Sequence, residues 1–218
     1  MLSKIKSMSL EGLNGYLVEI QSDVSGGLPS FEIVGLPDVR VKEAKERVRT
    51  AIKNSGIEFP SRKIIVNLAP ADIRKEGTFF DLPIAIGILI AIGKISKIKV
   101  KNFESTIFLG ELSLDGKINR VNGVLPMCIE ALELGIKRVI LPKENAIEAS
   151  IVNEVEIVPV GDLLDVIKYI TGNLEIPNYI SNEKLNLENI EKYDFDFSDV
   201  KGQESAKRAL EIAATRIS

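Results

Sequence analysis

Apolar and polar residues alternate along the first third of the chain. In GYLVEIQSDV, Tyr16, Val18 and Ile20 fall on one face, and KIKSMSL before it and SFEIVGL after it keep the same two-residue period. Three meandering antiparallel strands are predicted, with SGGLP turning the second into the third. After Pro37 the period lengthens. Val41, Ala44, Val48, Ala51 and Ile52 share one face of a helix that starts near Asp38 and stops at Gly56. Its other face is charged, and Glu43 stands four residues before Arg47, a pairing that contributes only about 0.3 kcal/mol. RKIIVNLAP then reads as a short buried strand ending at Pro70.

The stretch RKEGTFFDLPIAIG, Arg74 to Gly87, passes from a charged loop into an apolar helix in which Leu82, Ile84, Ala85, Ile88, Leu89 and Ile92 leave no polar face. That helix belongs at the centre of a core. Asp81 is expected to cap it, because a carboxylate ahead of the first turn accepts from free amides there. Beyond it come a strand pair turned at Asp115-Gly116, the helix VLPMCIEALELG, the strand KRVILP, the short helix ENAIEAS, the strand VEIVPV and the helix GDLLDVIKYITG. Strands alternating with helices predict a partly parallel sheet in this half. Together they give an α+β domain over residues 1–172.

From Asn173 to Asp199 there are seven acidic and two basic residues, with Pro177 and little periodicity, so residues 173–198 read as an extended acidic linker. Residues 199–218 restart a helix, Ser205 to Ala214, with nothing following to pack on it. This is expected to be the entrance to another domain, the chain stopping before that domain's own core.

Composition narrows the chemistry. The chain has 218 residues, 45% apolar and 27% charged, with a net charge of −3, one cysteine and no histidine. No Ser-His-Asp or Cys-His machinery, histidine metal site or thiolate zinc cage can be built from it, so no metal site is expected. Intrinsic hydrolysis would need a Ser-Lys or Thr-Lys pair, carboxylates or a bound nucleotide. Cys128 reads as a core thiol between Met127 and Ile129. The lone cysteine and the lack of a leader-like opening point to the reducing cytoplasm. The longest apolar run, Leu82 to Ile92, is half of the roughly 20 residues a membrane span needs, so no membrane contact is expected.

Three sets of motifs carry family resemblances. Asp199-Val200-Lys201-Gly202-Gln203 with its following helix resembles the lead-in of AAA+ ATPase modules. Val200, Gly202 and Gln203 would then lie beside the adenine of ATP in the complete module. The phosphate loop G-x-x-x-x-G-K-[ST] is not present: Gly87 to Lys94 has one residue too many between its glycines and ends in Ile95. The loop Pro70 to Asp81, GELSLDGKINRVNGVLPMCIEAL and GIKRVILPKEN with VEIVPVGDLLDVI are similar in order and spacing to the proteolytic domain of Lon and the Lon-like domain of RadA. This implies a Lon-protease-like fold, of the ribosomal protein S5 domain 2-like type. With GGLPSFEIVGLPD, KEGTFFDLPIA and the DVKGQ helix added, the chain resembles the ComM/YifB family of Mg-chelatase-like AAA+ ATPases, in which a Lon-like domain precedes the ATPase. The resemblance implies ATP and Mg as cofactors of the full-length protein and none in this segment. It also implies a homo-oligomer, a hexamer, and work on DNA in recombination or natural transformation as a helicase-type or branch-migration motor.

Against the Lon pattern, Lys75-Glu76-Gly77 places Phe79 at the nucleophile's position and Leu125 at the general base's. Neither a phenyl ring nor an isobutyl group can do that chemistry. A displaced Thr78–Lys75 pair is the remaining peptidase candidate, and it needs two compensating shifts. Charge offers a different function. Residues 40–75 carry ten basic and four acidic side chains, and Arg40, Lys42, Arg49, Lys53, Arg74 and Lys75 are the candidates for sequence-blind contact with phosphates of single-stranded or branched DNA. A solvated helix face with internal ion pairs explains the same residues. A protein-binding scaffold of a chelatase-like complex is the alternative that needs no nucleic acid.

Overall fold

The computed structural model of the protein describes residues 2–181 and 200–215. They fall into two units divided after Ser181. In the first, β1 (Leu2–Glu11) and β2 (Asn14–Ser25) form a long antiparallel hairpin, followed by β3 (Ser30–Val34), α1 (Val39–Asn54), β4 (Lys63–Ala69) and α2 (Asp81–Ala91). Then come β5 (Thr106–Phe108), β6 (Glu111–Leu112), β7 (Ile118–Asn119), α3 (Val124–Glu133), β8 (Arg138–Pro142), α4 (Ala146–Ala149), β9 (Glu156–Val160) and α5 (Leu163–Ile170). One mixed sheet runs in the order β3-β4-β2-β1-β5-β8-β9, and β6 and β7 make a separate small hairpin. The architecture is α+β, and β1, β5, β8 and β9 run parallel as the alternation of strands and helices predicts.

The N-terminal meander is corrected. β3 does not continue the β1–β2 hairpin; it runs parallel to β4, and β4 lies between it and β2. α1 is the cause, since a helical crossover returns the chain in the direction it left.

The β1–β2 hairpin has a helix on each face. Ser3 donates to the Gly87 carbonyl of α2 at 2.7 Å, and a Cβ added at Gly87 would lie 2.7 Å from Ser22 Oγ. Leu10 and Gly15, whose parity is opposite to that of Ser3 and Ser22, meet α3 at Gly123, Pro126 and Glu130. Serines on the strands and a glycine on the helix thus let α2, apolar on every side, approach the sheet closely. α1 lies against α2 through Val41, Ala44, Val48, Ala51 and Ile52, all buried as their spacing predicts. Its N-terminus is capped by Asp38, which accepts from the Val41 amide at 2.7 Å.

The first unit extends past Gly172, where the sequence pattern ends it. Tyr179 donates to the Ile157 carbonyl at 2.8 Å and Ile157 to Asn178 Oδ1 at 2.7 Å, so residues 178–179 line the free edge of β9. Residues 182–198 of the predicted acidic linker lie outside the described residues. The second unit, taken by itself, contains α6 (Glu204–Thr215), preceded by Gly202 and Gln203 with φ of +73° and +61°.

Candidate functional site

The loop from Arg74 to Phe80 is held by backbone pairing on one side and by apolar packing on the other. Lys75 donates its amide to the Leu36 carbonyl at 3.1 Å and accepts from the Asp38 amide at 2.9 Å, pinning the loop to the turn that starts α1. Tyr16 Oη donates to the Arg74 carbonyl at 3.2 Å. Gly77 has φ of +101°, and a Cβ there would stand 2.5 Å from the Phe79 ring, so only glycine lets that ring fold back over the loop. Phe79 is buried against Phe80, with ring centroids 4.7 Å apart. Its carbonyl accepts from Gly110, whose own carbonyl accepts from Leu82, so the loop is joined to the strand end before β6.

Lys75 does not point outward. Its side chain is 0% exposed, with Nζ donating to the Ile73 carbonyl at 2.6 Å. Burial holds its ammonium below the usual lysine range, and Asp72 offsets part of the effect. This corrects the expectation that Lys75 contacts phosphate. It also directs the lysine to a backbone oxygen two residues away rather than to Thr78, whose carbonyl accepts from the Asp81 amide at 3.3 Å.

Asp81 does not cap α2 with its side chain. Phe80 occupies the cap position and is already helical in backbone, with φ −84° and ψ −11°. Asp81 is the first helical residue, and its carboxylate accepts from Arg47 Nε at 2.6 Å, Arg47 Nη2 at 3.0 Å and the Leu112 amide at 3.1 Å. One fully buried carboxylate therefore joins α1, α2 and β6. Burial pushes its pKa up to about 6, more than Arg47 draws it down. Arg47 does approach Glu43, as the sequence spacing predicts, but at 3.8 Å and at an exposed partner; Asp81 is its principal contact.

At the other candidate position Leu125 is half-buried against the core, and its amide donates to Glu148 Oε1 at 3.1 Å. Buried Asn145 donates to Glu148 and to the Val121 carbonyl and accepts from the Val121 amide. These polar residues secure the entry to α3, and the sequence pattern singled out neither. Cys128 is a core thiol pushed up to about 12 by burial, protonated at neutral pH. Positions 75, 78, 79 and 125 hold no nucleophile joined to a base.

The remaining basic candidates fall at the two ends of α1. Lys42 and Arg74 border one shallow pocket with Leu36 and Val39, while exposed Arg40 gives its carbonyl to Arg47 Nη2. Arg49 and Lys53 border another with Phe59 and Arg62, and the Arg49 guanidinium lies 5.5 Å from the centre of the Phe59 ring. Helical spacing places Lys42, Lys45, Arg49 and Lys53 in one row about 16 Å long. Lys45 and Arg62 add to the candidates: helical spacing alone gives Lys45, whereas Arg62 joins only in the fold, because β4 begins beside the end of α1.

Comparison with known proteins places the chain. Residues 20–145, more than half of its length, match the family model described as subunit ChlI of Mg-chelatase. The chain belongs to the family of the Mg-chelatase subunit ChlI. Within this ChlI-like group it is 42% identical over 214 residues to the competence protein ComM of Haemophilus influenzae, and 38% identical over 215 residues to the uncharacterized protein YifB of Escherichia coli. Each alignment covers 98% of this chain but only 41% and 40% of the relative, so the chain spans about two fifths of their length. A Lon protease of Trichlorobacter lovleyi is 25% identical over 186 residues, 79% of this chain and 22% of that protein. The ChlI-family chain thus has a Lon-like fold of the kind its loop and strand order implied. Among the described residues no helix is long and apolar enough to cross a membrane. Val200, the candidate adenine-side residue, is 46% exposed ahead of α6, with Gly202 and Gln203 forming the left-handed turn.

Proposed function

We propose that this chain is the non-catalytic Lon-like domain of a ComM/YifB-type Mg-chelatase-like AAA+ ATPase, and that it guides DNA. The burial of Phe79, the apolar Leu125 and the inward turn of Lys75 support the absence of protease chemistry. The DNA role rests on one observation: the basic row Lys42–Lys45–Arg49–Lys53 along α1, with Arg62 at one end and Arg74 near the other. A row of this length spans several phosphates and carries no base-reading geometry, which suits sequence-blind contact with single-stranded or branched DNA. One relative's name, a competence protein, agrees with such a role.

In this reading ATP and Mg belong to the ATPase part of the longer protein, where Val200, Gly202 and Gln203 border the adenine. The working form is a cytoplasmic homo-hexamer whose motor supports recombination or transformation. Fluorescence anisotropy with single-stranded and four-way-junction DNA tests it. Affinity should fall steeply with salt and collapse on combined Lys42→Glu, Arg49→Glu and Lys53→Glu substitution. A folded chain that binds no DNA at low salt would support the scaffold reading, for which exposed Leu36 and Val39 beside Lys42 and Arg74 form an available surface.

A further inference from the structure

The pocket at the C-terminal end of α1 differs from the rest of the basic row. It is a small concavity of about 130 Å³, below the roughly 300 Å³ at which small-molecule sites begin. That size suits a single tetrahedral oxyanion. Arg49, Lys53 and Arg62 line it, Ser30 and Ser61 add two hydroxyls, and none of its described lining residues is acidic. The Ser30 amide donates to the Arg62 carbonyl at 3.4 Å, connecting the two loops that form its walls.

Arg49 is held there by its packing on the Phe59 ring. Its Nε is closed off from solvent and has no hydrogen-bond partner among the described residues. The last turn of α1 presents the negative end of the helix dipole, which opposes an anion. That opposition is about half an elementary charge, against three full positive charges around the pocket.

We propose that this pocket binds one phosphate group, with Arg49 and Arg62 as its principal ligands and Lys53 as a third cation. Planar guanidiniums pair with phosphate oxygens through charge-assisted bonds, which a lone ammonium makes only as a point charge. The source of the phosphate rests on the DNA reading above: a backbone phosphodiester fixes one strand at a defined point on an otherwise diffuse basic row. Free phosphate is the other source of the same chemistry.

Proton–nitrogen correlation spectra of the 218-residue chain, titrated first with inorganic phosphate and then with a single-stranded oligonucleotide at constant ionic strength, separate these cases. Phosphate should move the Arg49 Nε–H resonance saturably, and Arg62→Gln, which alters an exposed side chain, should weaken the response about tenfold or more. Arg49→Lys keeps the charge, yet should weaken binding because it removes the fork. If the oligonucleotide shifts the same resonance and competes with phosphate, DNA is the source. If phosphate binds and DNA does not, the pocket stands as a free-phosphate site and the DNA reading falls. An Arg49 signal that ignores phosphate, or a response unchanged by Arg62→Gln that marks an adventitious ion only, overturns the pocket. DNA binding that leaves a phosphate-responsive resonance unmoved assigns the pocket to free phosphate, while the DNA reading survives along the rest of the row.

Discussion

Arg47 on α1 holds Asp81, the first residue of α2, through two hydrogen bonds of 2.6 and 3.0 Å, and Asp81 is fully buried. The same carboxylate accepts from Leu112 on β6, so the pair fixes the helix that carries the basic row against the loop that resembles a protease active site.

Removing one partner should be far worse than replacing both. Asp81→Ala leaves a charged guanidinium facing the core, which costs about 3–5 kcal/mol. The lower end is expected because 20% of the Arg47 side chain remains exposed. An Arg47→Met/Asp81→Leu double variant should recover most of that stability in urea unfolding, and a double variant as unstable as Asp81→Ala would show that the pair does more than compensate its own burial.

The same carboxylate makes stability depend on pH. Its pKa rises from 3.8 unfolded to about 6 folded, so the folded state holds its proton more tightly. The stability linked to that proton is fully present below about pH 4 and is lost as pH rises through about 6. As pH rises from about 4 to about 7, the urea midpoint of wild type should therefore fall relative to that of Asp81→Asn. A wild-type midpoint that rises relative to the variant over this window would mean that Arg47 outweighs desolvation.

Lys75 should matter to neither chemistry nor DNA. Lys75→Met keeps the side-chain length and removes a buried charge whose one hydrogen bond among the described residues is to the Ile73 carbonyl, so stability should change by less than about 1.5 kcal/mol and DNA affinity should stay at the wild-type value. Casein should remain uncut by wild type, Lys75→Met and Thr78→Ala alike. Cleavage abolished by either substitution would restore the peptidase reading.

Gly87 should be intolerant of a side chain. An alanine Cβ would press on Ser22 Oγ at 2.7 Å, an overpacking that costs about 1–3 kcal/mol. Ser22→Ala in the same chain should relieve it, as two melting curves would record.

The parts legible in the sequence are those decided by near neighbours. The spacing of Val41, Ala44, Val48, Ala51 and Ile52 defines α1 and its start near Asp38, and the Asp115-Gly116 turn makes the β6–β7 hairpin. The partner of β3 depends on where a helical crossover returns the chain, which no local period encodes. Asp81 looks like a cap because a carboxylate stands before an apolar helix, and its true partner lies 34 residues away. Lys75 follows Arg74 in a charged cluster, and nothing in that cluster distinguishes the side chain that turns inward. Arg62 lies nine positions past Lys53, so its place beside Arg49 emerges only when β4 docks.

The central claim is that this Lon-like domain has exchanged peptide chemistry for phosphate contact along α1. Its most direct measurement is anisotropy of labelled single-stranded DNA against the wild-type chain and the Lys42→Glu/Arg49→Glu/Lys53→Glu variant over a range of salt. Wild type should bind saturably with an affinity that weakens steeply with salt, and a variant whose circular dichroism matches wild type should not bind. Equal binding by the folded variant, or none by wild type at low salt, would contradict it.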